Sequence, residues 1–266
     1  MKNIKLITFI LISLILGFYG IFVEPNKLEV TNHTIQDKDL SGIKIIFASD
    51  FHIKPHQKRR LEKIADTINS QKPDLVLFAG DFVSGHLHKT TMPPRDIAKE
   101  LGKIQAKYGI YTTLGNHDQW YGVEEITKPL EENNINVLHN TNKKLIINGK
   151  NLYIAGIQYK PETRQAIIKA LVNTKLPTIF LTHSPDEATK VSSEDASLIL
   201  AGHTHGGQIR LPLLGPLFTA SIYGDKYAKG LIKEKGKTII TTTGIGTSIL
   251  PIRFNCPPEI VVIEFE

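Results

Sequence analysis

Two histidines stand one residue apart, at His203 and His205, after the apolar run SLILAG and before a pair of glycines. One buried histidine is readily satisfied by a hydrogen bond, but two on one face need two partners. If the preceding strand continued through this pair, residues i and i+2 would point to the same side of the sheet. Two neutral imidazoles that converge on one point are typical of a metal site. The pair therefore predicts a metal centre with further ligands elsewhere in the chain.

Four other apolar runs also end in polar residues that could bind metals, in the motifs SDFH, AGDF, GNHD and LTHSPD. Taken singly, each residue has a structural explanation as a turn residue, a cap or a buried histidine. Ligands of open α/β sheets bind at the carboxyl ends of strands, so the shared position of these residues favours one common site. The candidate ligands are Asp50, His52, Asp81, Asn116, His183, His203 and His205.

The candidate ligands offer carboxylate, amide and imidazole donors, which suit Mn²⁺, Fe, Zn²⁺ or Co²⁺. The single cysteine, Cys256, excludes a cysteine-based zinc site and an intramolecular disulfide. Seven groups are too many for one tetrahedral ion, and they suit two divalent ions that share a bridging carboxylate. Two metals about 3.5–4 Å apart can stabilise the attacking and leaving oxygens of a phosphoryl displacement. The sequence therefore predicts phosphoryl chemistry at a dinuclear centre.

The segments that carry these residues predict an α/β scaffold. Short apolar runs bounded by turn residues predict strands, and apolar residues three to four apart predict helices. The Asn148–Gly149 pair predicts a type I′ hairpin, and the C-terminal segments predict antiparallel strands. A sandwich of mixed sheets is expected rather than an all-parallel sheet. The strands are predicted at 43–49, 74–80, 109–115, 178–184 and 197–203, and the helices at 57–70, 95–106 and 123–133.

The first 23 residues predict a membrane anchor. Residues 6–23 carry no charge, which meets the lower length limit of a membrane-spanning helix. The segment lacks a small-x-small cleavage site, which favours an uncleaved anchor over a signal peptide or a buried core helix. After it, residues 24–42 are expected to form a polar linker and residues 43–266 the catalytic domain.

The charges around the anchor predict its orientation. Lys2 and Lys5 precede the apolar segment, while Glu24 and Glu29 follow it. The positive-inside bias then places the N-terminus in the cytoplasm and the domain outside. Over the whole chain of 266 residues the net charge is +6, without the concentrated basic stripe of a nucleic-acid binder. A membrane lipid and a phosphoester are the predicted partners, no nucleic acid is expected, and the oligomeric state is not predicted.

The ordered motifs SDFH, AGDF, GNHD, THS and GHTH resemble those of the calcineurin-like metallophosphoesterases over about residues 43–266. The resemblance implies a four-layer sandwich of two mixed β-sheets flanked by helices, here with an N-terminal transmembrane helix. It implies a hydroxide between two metals as the nucleophile. It also implies that one metal is held by Asp50, His52 and His205 and the other by Asn116, His183 and His203, with Asp81 bridging them. His117 would stabilise or protonate the leaving oxygen, and Asp118 would orient His117.

Two details of the motifs differ from the expected pattern. The family often has GDxxD in its second motif, whereas this chain has Ser84 at the last position. That carboxylate is usually not a metal ligand, so its loss affects fine tuning more than activity. His86 and His88 repeat the spacing of the metal pair, but they follow no apolar strand. We predict that they lie on an active-site rim or an exposed loop.

Segments outside the motifs, GHTHGGQIRLPLLGPLFTASIY and PIRFNCPPEIVVIEF, resemble a bacterial membrane-associated branch of the family. That branch implies phosphodiesterases and pyrophosphatases of lipid-linked phosphates such as UDP-diacylglucosamine. The leading hypothesis is therefore an enzyme at the bacterial cell membrane that cleaves a lipid-linked or nucleotide-linked phosphoester. A domain outside the cytoplasm would be separated from a cytosolic nucleotide-linked substrate. The alternatives are an enzyme for small soluble phosphoesters and a metal-binding module without turnover.

Some residues near the motifs have two interpretations. The apolar residues of 211–218 form either a lip for acyl chains or a loop folded over the core. Trp120 and Tyr121 either line the substrate entrance or pack inside the domain. Arg210 and Arg253 either bind a non-reacting phosphate or are ordinary surface arginines.

Overall fold

The computed structural model describes residues 2–85, 90–159 and 163–266. The α-helices of this part of the chain are α1 (Lys2–Phe18), α2 (Lys58–Ser70), α3 (Pro94–Leu101), α4 (Asn116–Tyr121), α5 (Val123–Glu132), α6 (Thr163–Ala170) and α7 (Pro185–Ala188). The first seven strands are β1 (Glu29–Ile35), β2 (Lys44–Ala48), β3 (Leu75–Phe78), β4 (Ile110–Thr112), β5 (Ile135–Val137), β6 (Thr141–Ile147) and β7 (Lys150–Gly156). The others are β8 (Thr178–Leu181), β9 (Leu198–Ala201), β10 (Arg210–Leu211), β11 (Gly215–Pro216), β12 (Gly230–Glu234), β13 (Lys237–Thr241) and β14 (Glu259–Phe265).

Twelve of these strands form two six-stranded sheets, with the orders β1-β14-β2-β3-β4-β5 and β12-β13-β9-β8-β7-β6. The central strands β2 to β5 run parallel in the first sheet, as do β13, β9, β8 and β7 in the second. Antiparallel pairs join β14 to β2, β12 to β13 and β6 to β7. The predicted mixed sheets, with antiparallel strands near the C-terminus, are therefore confirmed.

The sheets stack because both faces of their central strands are apolar. In β2, Ile45 and Phe47 belong to the core between the sheets, while Ile46 and Ala48 pack outward with residues of α2, α3 and α5. In β8, Phe180 instead packs outward with residues of α6 and α7. This alternation follows from the two-residue period of a strand. It builds the predicted four-layer sandwich, with helices outside both sheets.

The predicted hairpin turn is confirmed, but the strands predicted at 109–115, 178–184 and 197–203 end earlier, at Thr112, Leu181 and Ala201, and so does one helix. Asn148 and Gly149 have φ angles of 51° and 78°, as the predicted type I′ turn requires. The helix expected at 95–106 instead ends at Leu101. The next residue is Gly102, where a Cβ would lie 2.8 Å from the carbonyl oxygen of Asn133. A glycine here disfavours further helix and permits the close contact.

The prediction of a linker over residues 24–42 is wrong for β1. All seven residues of this strand pair in parallel with β14, from Glu29 opposite Glu259 to Ile35 opposite Phe265. The sequence EVTNHTI is polar because β1 is an edge strand, and most of its residues are only partly buried or exposed. Its pairing energy comes from backbone hydrogen bonds, which leave no apolar pattern in the sequence. The folded domain therefore includes residues before position 43.

The helix that begins with α1 continues through Tyr19–Val23 and Glu24–Asn26 and docks onto the domain. Residues 4–26 form a helical segment of 23 residues. At 1.5 Å per residue it is about 35 Å long, enough to cross a membrane. Gly20 and Glu24 are buried at its domain end. The Arg253 amide donates to the Gly20 carbonyl over 2.9 Å, and the Cys256 amide donates to the Glu24 carboxylate.

Arg253 organises the loop on which the helix docks. Its side chain is completely buried, and its guanidinium donates to the backbone carbonyls of Thr243, Gly244, Gly246 and Cys256. A side chain with this environment neither meets a substrate phosphate nor lies on the surface. Both interpretations of Arg253 from the sequence are therefore wrong.

Replacement of Arg253 by methionine should destabilise the domain. Methionine fills much of the same space but leaves four buried carbonyl groups without their donor, so we expect the unfolding free energy to fall by about 3 kcal/mol. Urea unfolding of the full chain in detergent, followed by circular dichroism, measures the change. Arg59→Met, at an exposed position of α2, is the matched control. Equal stabilities of the two variants would contradict this account of Arg253.

Candidate metal centre

All seven predicted ligands lie together at the carboxyl ends of the central strands. Six are buried and His203 is partly buried. Each comes directly after a strand or begins the helix that follows one. Asp50 and His52 follow β2, Asp81 follows β3, Asn116 begins α4 after β4, His183 follows β8, and His203 and His205 follow β9.

The donor atoms form two groups. In the first, Nε2 of His52 lies 3.1 Å from Nε2 of His205, which lies 3.4 Å from Oδ1 of Asp50. In the second, Nε2 of His183 lies 3.0 Å from Oδ1 of Asn116 and 3.1 Å from Nδ1 of His203. The grouping matches the two ligand sets implied by the family resemblance.

Asp81 lies between the two groups. Its Oδ2 is 3.5 Å from Nε2 of His52 and 3.3 Å from Nε2 of His183. Its Oδ1 accepts a hydrogen bond of 2.8 Å from the backbone amide of His117. One carboxylate oxygen thus faces both groups while the other is held by the protein. This is the arrangement expected of a bridging ligand.

The spacing of the donors fits divalent ions. With metal–ligand bonds of about 2.1 Å, neighbouring ligands are about 3.0 Å apart in an octahedron and about 3.4 Å apart in a tetrahedron. The His52–His205 and His183–Asn116 distances, 3.1 and 3.0 Å, lie at the lower value, and the His205–Asp50 distance of 3.4 Å at the upper one. The Asp and His clusters therefore fit a dinuclear metal site, whose metal identity they leave open.

Hydrogen bonds outside the centre orient two of the imidazole rings. The Nδ1 atoms of His52 and His183 lie 3.2 Å and 2.6 Å from the carbonyl oxygens of Val83 and Ala79. A carbonyl only accepts, so each Nδ1 carries the proton and donates it. Each Nε2 then presents its lone pair to the centre when the ring is neutral. Such backbone contacts are a common feature of metal-binding histidines.

Burial and charge prepare the ligands for a cation. Burial lowers the pKa of His52 to about 3 and also lowers the pKa of His205, so both rings are neutral at pH 7. Burial opposes ionisation of Asp81, but the neighbouring imidazoles, above all His183, hold its pKa below the usual range. Against burial, Asp81 raises the pKa of His183 to about 10. Metal binding at His183 must therefore release a proton.

The backbone at the site adopts conformations that are uncommon for these residue types. Five of the seven ligands have positive φ, between 42° at His52 and 71° at His203. Residues other than glycine rarely occupy this region, and each such position costs on the order of 1 kcal/mol or more. These local turns aim the side chains of successive loops at one centre.

The same conformations correct the expected geometry of the histidine pair. Strand β9 ends at Ala201, so the pleat does not continue through His203 and His205. Both residues have positive φ, and Thr204 between them has a φ of −77°. The two rings therefore reach the centre through a loop, and each joins a different donor group.

Asp118 binds the backbone of two loops. Its carboxylate accepts hydrogen bonds from the backbone amides of Asp81, Phe82, Val83 and Gly115. Asp118 therefore positions the two loops that carry the bridging ligand and the GNHD motif. The family resemblance did not imply these contacts.

His117 lies beside the metal ligands at the edge of the cavity. Its ring packs against the rings of His52 and Trp120, with centroid distances of 4.5 Å and 4.9 Å. These contacts orient His117 in a chain that has Ser84 in place of the family's second carboxylate. Trp120 lines the cavity and is 59% exposed, whereas Tyr121 packs against the core beneath the first sheet. Trp120 therefore lines the entrance to the site, whereas Tyr121 packs inside the domain.

Tyr159 is a site residue that the sequence did not identify. Its ring packs against the rings of His183 and His203, with centroid distances of 5.4 Å and 5.2 Å. It follows β7 at the same edge of the second sheet as the ligands. Its position after a strand is the only signal in the sequence, since tyrosine is not among the usual ligands of these metals.

A cavity of about 610 Å³ opens above the donor groups. Its border includes Trp120, Phe218 and Ile249. Leu213 and Leu214, in the turn between β10 and β11, are 106% and 79% exposed. The interpretation of residues 211–218 as a loop folded over the core is therefore wrong, because the apolar side chains point into solvent.

Arg210 holds this exposed segment in place. Its guanidinium makes two hydrogen bonds, of 2.8 and 3.0 Å, to the carboxylate of Asp225 and a third to the carbonyl of Gly206. These bonds account for Arg210 as a structural residue rather than as a phosphate ligand. The predicted rim residues His86 and His88 lie outside the described residues.

Comparison with known proteins agrees with this geometry. The calcineurin-like phosphoesterase model matches residues 43–207. The chain belongs to the calcineurin-like phosphoesterase family. It is 32% identical to the uncharacterized metallophosphoesterase YkuE of Bacillus subtilis, over 93% of this chain and 89% of that protein. It is 31% identical to the phosphodiesterase YaeI of Escherichia coli, over 93% and 92% of the two chains.

A solved structure shares the fold of this phosphoesterase at low sequence identity. The NAD nucleotidase NadN of Haemophilus influenzae superposes with a TM-score of 0.51 and 16% identity, over 76% of this chain and 45% of that one. This likeness supports the fold alone. The family match and the metal-binding geometry together identify the chain as a metal-dependent phosphoester hydrolase.

Substitution of Gly115 by alanine should disrupt the metal centre. A Cβ at this position would lie 2.1 Å from Oδ1 of Asp81 and 2.7 Å from Cε1 of His183. Both ligands must then move, so we expect Mn²⁺ affinity to fall at least about tenfold, the equivalent of about 1.4 kcal/mol. Titration calorimetry of the stripped full chain measures it. Gly17→Ala, where a Cβ meets nothing within 4 Å, should bind like the wild type, and the same result for Gly115→Ala would refute the assignment.

Proposed function

We propose that this calcineurin-like phosphoesterase is a single-pass membrane enzyme that hydrolyses a phosphodiester or pyrophosphate bond of a lipid-linked substrate. The observation that carries this proposal is the position of the donor cluster beneath a cavity bordered by exposed apolar side chains. A soluble phosphoester gives no reason for that border, whereas acyl chains do.

The proposed ligand sets follow the two donor groups. Asp50, His52 and His205 would hold one divalent ion, Asn116, His183 and His203 the other, and Asp81 both. When bound, two such ions stabilise negative charge on the phosphoryl oxygens and promote ionisation of a water nucleophile. The protein contributes rings of fixed orientation, through the carbonyls of Ala79 and Val83, and six ligands that are buried from solvent.

His117 is the proposed general acid. Its backbone is fixed by Asp81 and its ring by contacts with His52 and Trp120. The ring lies beside the donor cluster and on the open side of the cavity. From this position it can give a proton to the leaving oxygen as the bond to phosphorus breaks. Asp118 supports this step indirectly, since it fixes the loops on both sides.

The exposed apolar rim is the proposed acyl-binding element. Phe218 borders the cavity and is 70% exposed, and Ile249 and Leu250 on a second loop border it and are 94% and 52% exposed. Contact of one such side chain with acyl chains or the membrane core would gain about 1.5–3 kcal/mol if it became fully buried. The rim would receive the lipid part of the substrate while the phosphate reaches the donor cluster.

The anchor fits the same proposal. We propose that residues 1–23 cross the membrane, with Lys2 and Lys5 on the cytoplasmic side and the domain of residues 43–266, extended by β1, outside. A helix that is tied to the domain restricts the enzyme to the membrane plane and raises the effective concentration of a lipid substrate. This orientation favours a lipid-linked phosphoester on the outer side over a cytosolic nucleotide conjugate.

Loss of His117 should remove turnover but not metal. We expect the full chain in neutral detergent to hydrolyse bis-p-nitrophenyl phosphate only when Mn²⁺ is restored after stripping. His117→Ala should retain bound metal by elemental analysis yet lose about 100-fold or more in kcat. Asp81→Ala should lose both metal and activity. His139→Ala, at an exposed histidine, is the matched control. Full turnover by His117→Ala would remove this residue from the mechanism.

The apolar rim should select for acyl chains. Ethyl and hexadecyl p-nitrophenyl phosphate share a leaving group and a charge but differ in chain length. We expect wild-type kcat/KM to favour the hexadecyl ester and the double variant Phe218→Ser/Ile249→Ser to lose about tenfold of that preference. Ile168→Ser, at an exposed position of α6, should keep it. An unchanged ratio in the double variant would favour a soluble substrate.

A further inference from the structure

A second, smaller cavity lies between the anchor helix and the metal centre. It has a volume of about 120 Å³. Pro25 and Asn26 at the end of the anchor form one wall, and His52 lies on the side of the metal centre. Lys54 borders this cavity and also the large cavity above the donor cluster. Thr247 also borders both cavities, so the two spaces are neighbours.

Two cations face the small cavity. Lys54, after the SDFH motif, has its Nζ 3.4 Å from the hydroxyl of Thr247. Arg60 donates to the side-chain oxygen of Asn26 over 2.9 Å and to the carbonyl of Ile245 over 2.7 Å. All three acceptors are uncharged. Among residues 2–85, 90–159 and 163–266, no carboxylate oxygen lies within 4 Å of either cation.

The beginning of helix α2 adds to this positive charge. Its first residues are Lys58, Arg59 and Arg60, and its first turn contains no acidic residue. The N-terminus of a helix carries a partial positive charge, so acids stabilise this end and bases destabilise it. The chain instead places arginine there, half-buried and beside a lysine. An anion in the cavity would offset this repulsion.

We propose that Lys54 and Arg60 form a subsite for a phosphate group other than the one that is cleaved. The positive charge and the size of the cavity suit a phosphate. Two sources offer this chemistry at this place. One is a second phosphate of the substrate, in which case the inference rests on the proposed function. The other is the head group of an anionic lipid next to the anchor.

The first arm of the test uses two soluble substrates that differ by one phosphate. These are thymidine 5′-(p-nitrophenyl phosphate) and the same compound with a 3′-phosphate, assayed with the metal-loaded full chain in neutral detergent. If the substrate supplies the anion, wild-type kcat/KM is about tenfold higher for the 3′-phosphorylated compound. Lys54→Gln loses this preference, and Lys54→Arg, which keeps the charge, retains it.

The second arm measures the melting temperature of the full chain in nanodiscs of phosphatidylcholine, with and without phosphatidic acid. If a lipid supplies the anion, phosphatidic acid raises the melting temperature of the wild type and of Lys54→Arg but not of Lys54→Gln. The matched control in both arms is Lys143→Gln, which removes the same charge from an exposed position on the edge strand β6. It should behave like the wild type.

The outcomes separate this inference from the proposed function. The subsite is supported if the kcat/KM preference or the rise in melting temperature is present in the wild type and lost in Lys54→Gln. The effect that is seen shows whether the substrate or a lipid supplies the anion. Absence of both effects in the wild type, or their persistence in Lys54→Gln, overturns it. Hydrolysis of the compound without the 3′-phosphate reports on the phosphodiesterase activity alone. If neither soluble compound is hydrolysed, the melting temperatures still decide whether the subsite exists.

Discussion

The rest of the site depends on the carboxylate of Asp81 and the contacts that it makes. One of its oxygens faces the imidazoles of both donor groups, and the other is held by the backbone amide of His117. The loop that carries Asp81 is fixed by Asp118, which accepts hydrogen bonds from backbone amides of this loop and of the GNHD loop. The absence of a side chain at Gly115 leaves room for it. A buried carboxylate is costly unless cations or donors surround it, so these surroundings must form together.

The apolar N-terminal helix is coupled to the site through one loop. Arg253 ties that loop together through its backbone carbonyls, and its own amide donates a hydrogen bond to Gly20 of that helix. A few residues earlier in the same loop, Ile249 stands on the apolar rim of the large cavity. The loop also borders the small cationic cavity through Thr247. Because these contacts are short and buried, the direction in which the N-terminal helix leaves the domain is linked to the position of both cavities.

The sequence predicted the layers and the ligands for a physical reason. Central strands are apolar on both faces, so β2, β3, β8 and β9 are visible as short apolar runs, and the residues after them lie at the carboxyl ends of the strands in the two sheets. The predicted residues Asp50, Asp81 and His183 do meet there. The edge strand β1 was not visible because its stability comes from backbone pairing with β14, which leaves no apolar pattern.

By itself, the sequence determined the donor types, their order along the chain, the apolar N-terminal helix and the α/β scaffold, because these follow from local composition and period. Only the tertiary structure decided which donors face one another and that His203 and His205 turn through left-handed backbone. It also decided that Arg253 is buried, while Lys54 and Arg60 face one cavity. The residue type alone does not show whether an arginine donates to buried carbonyls or is exposed to solvent. Its role depends on groups that are distant in the chain, and only folding brings them together.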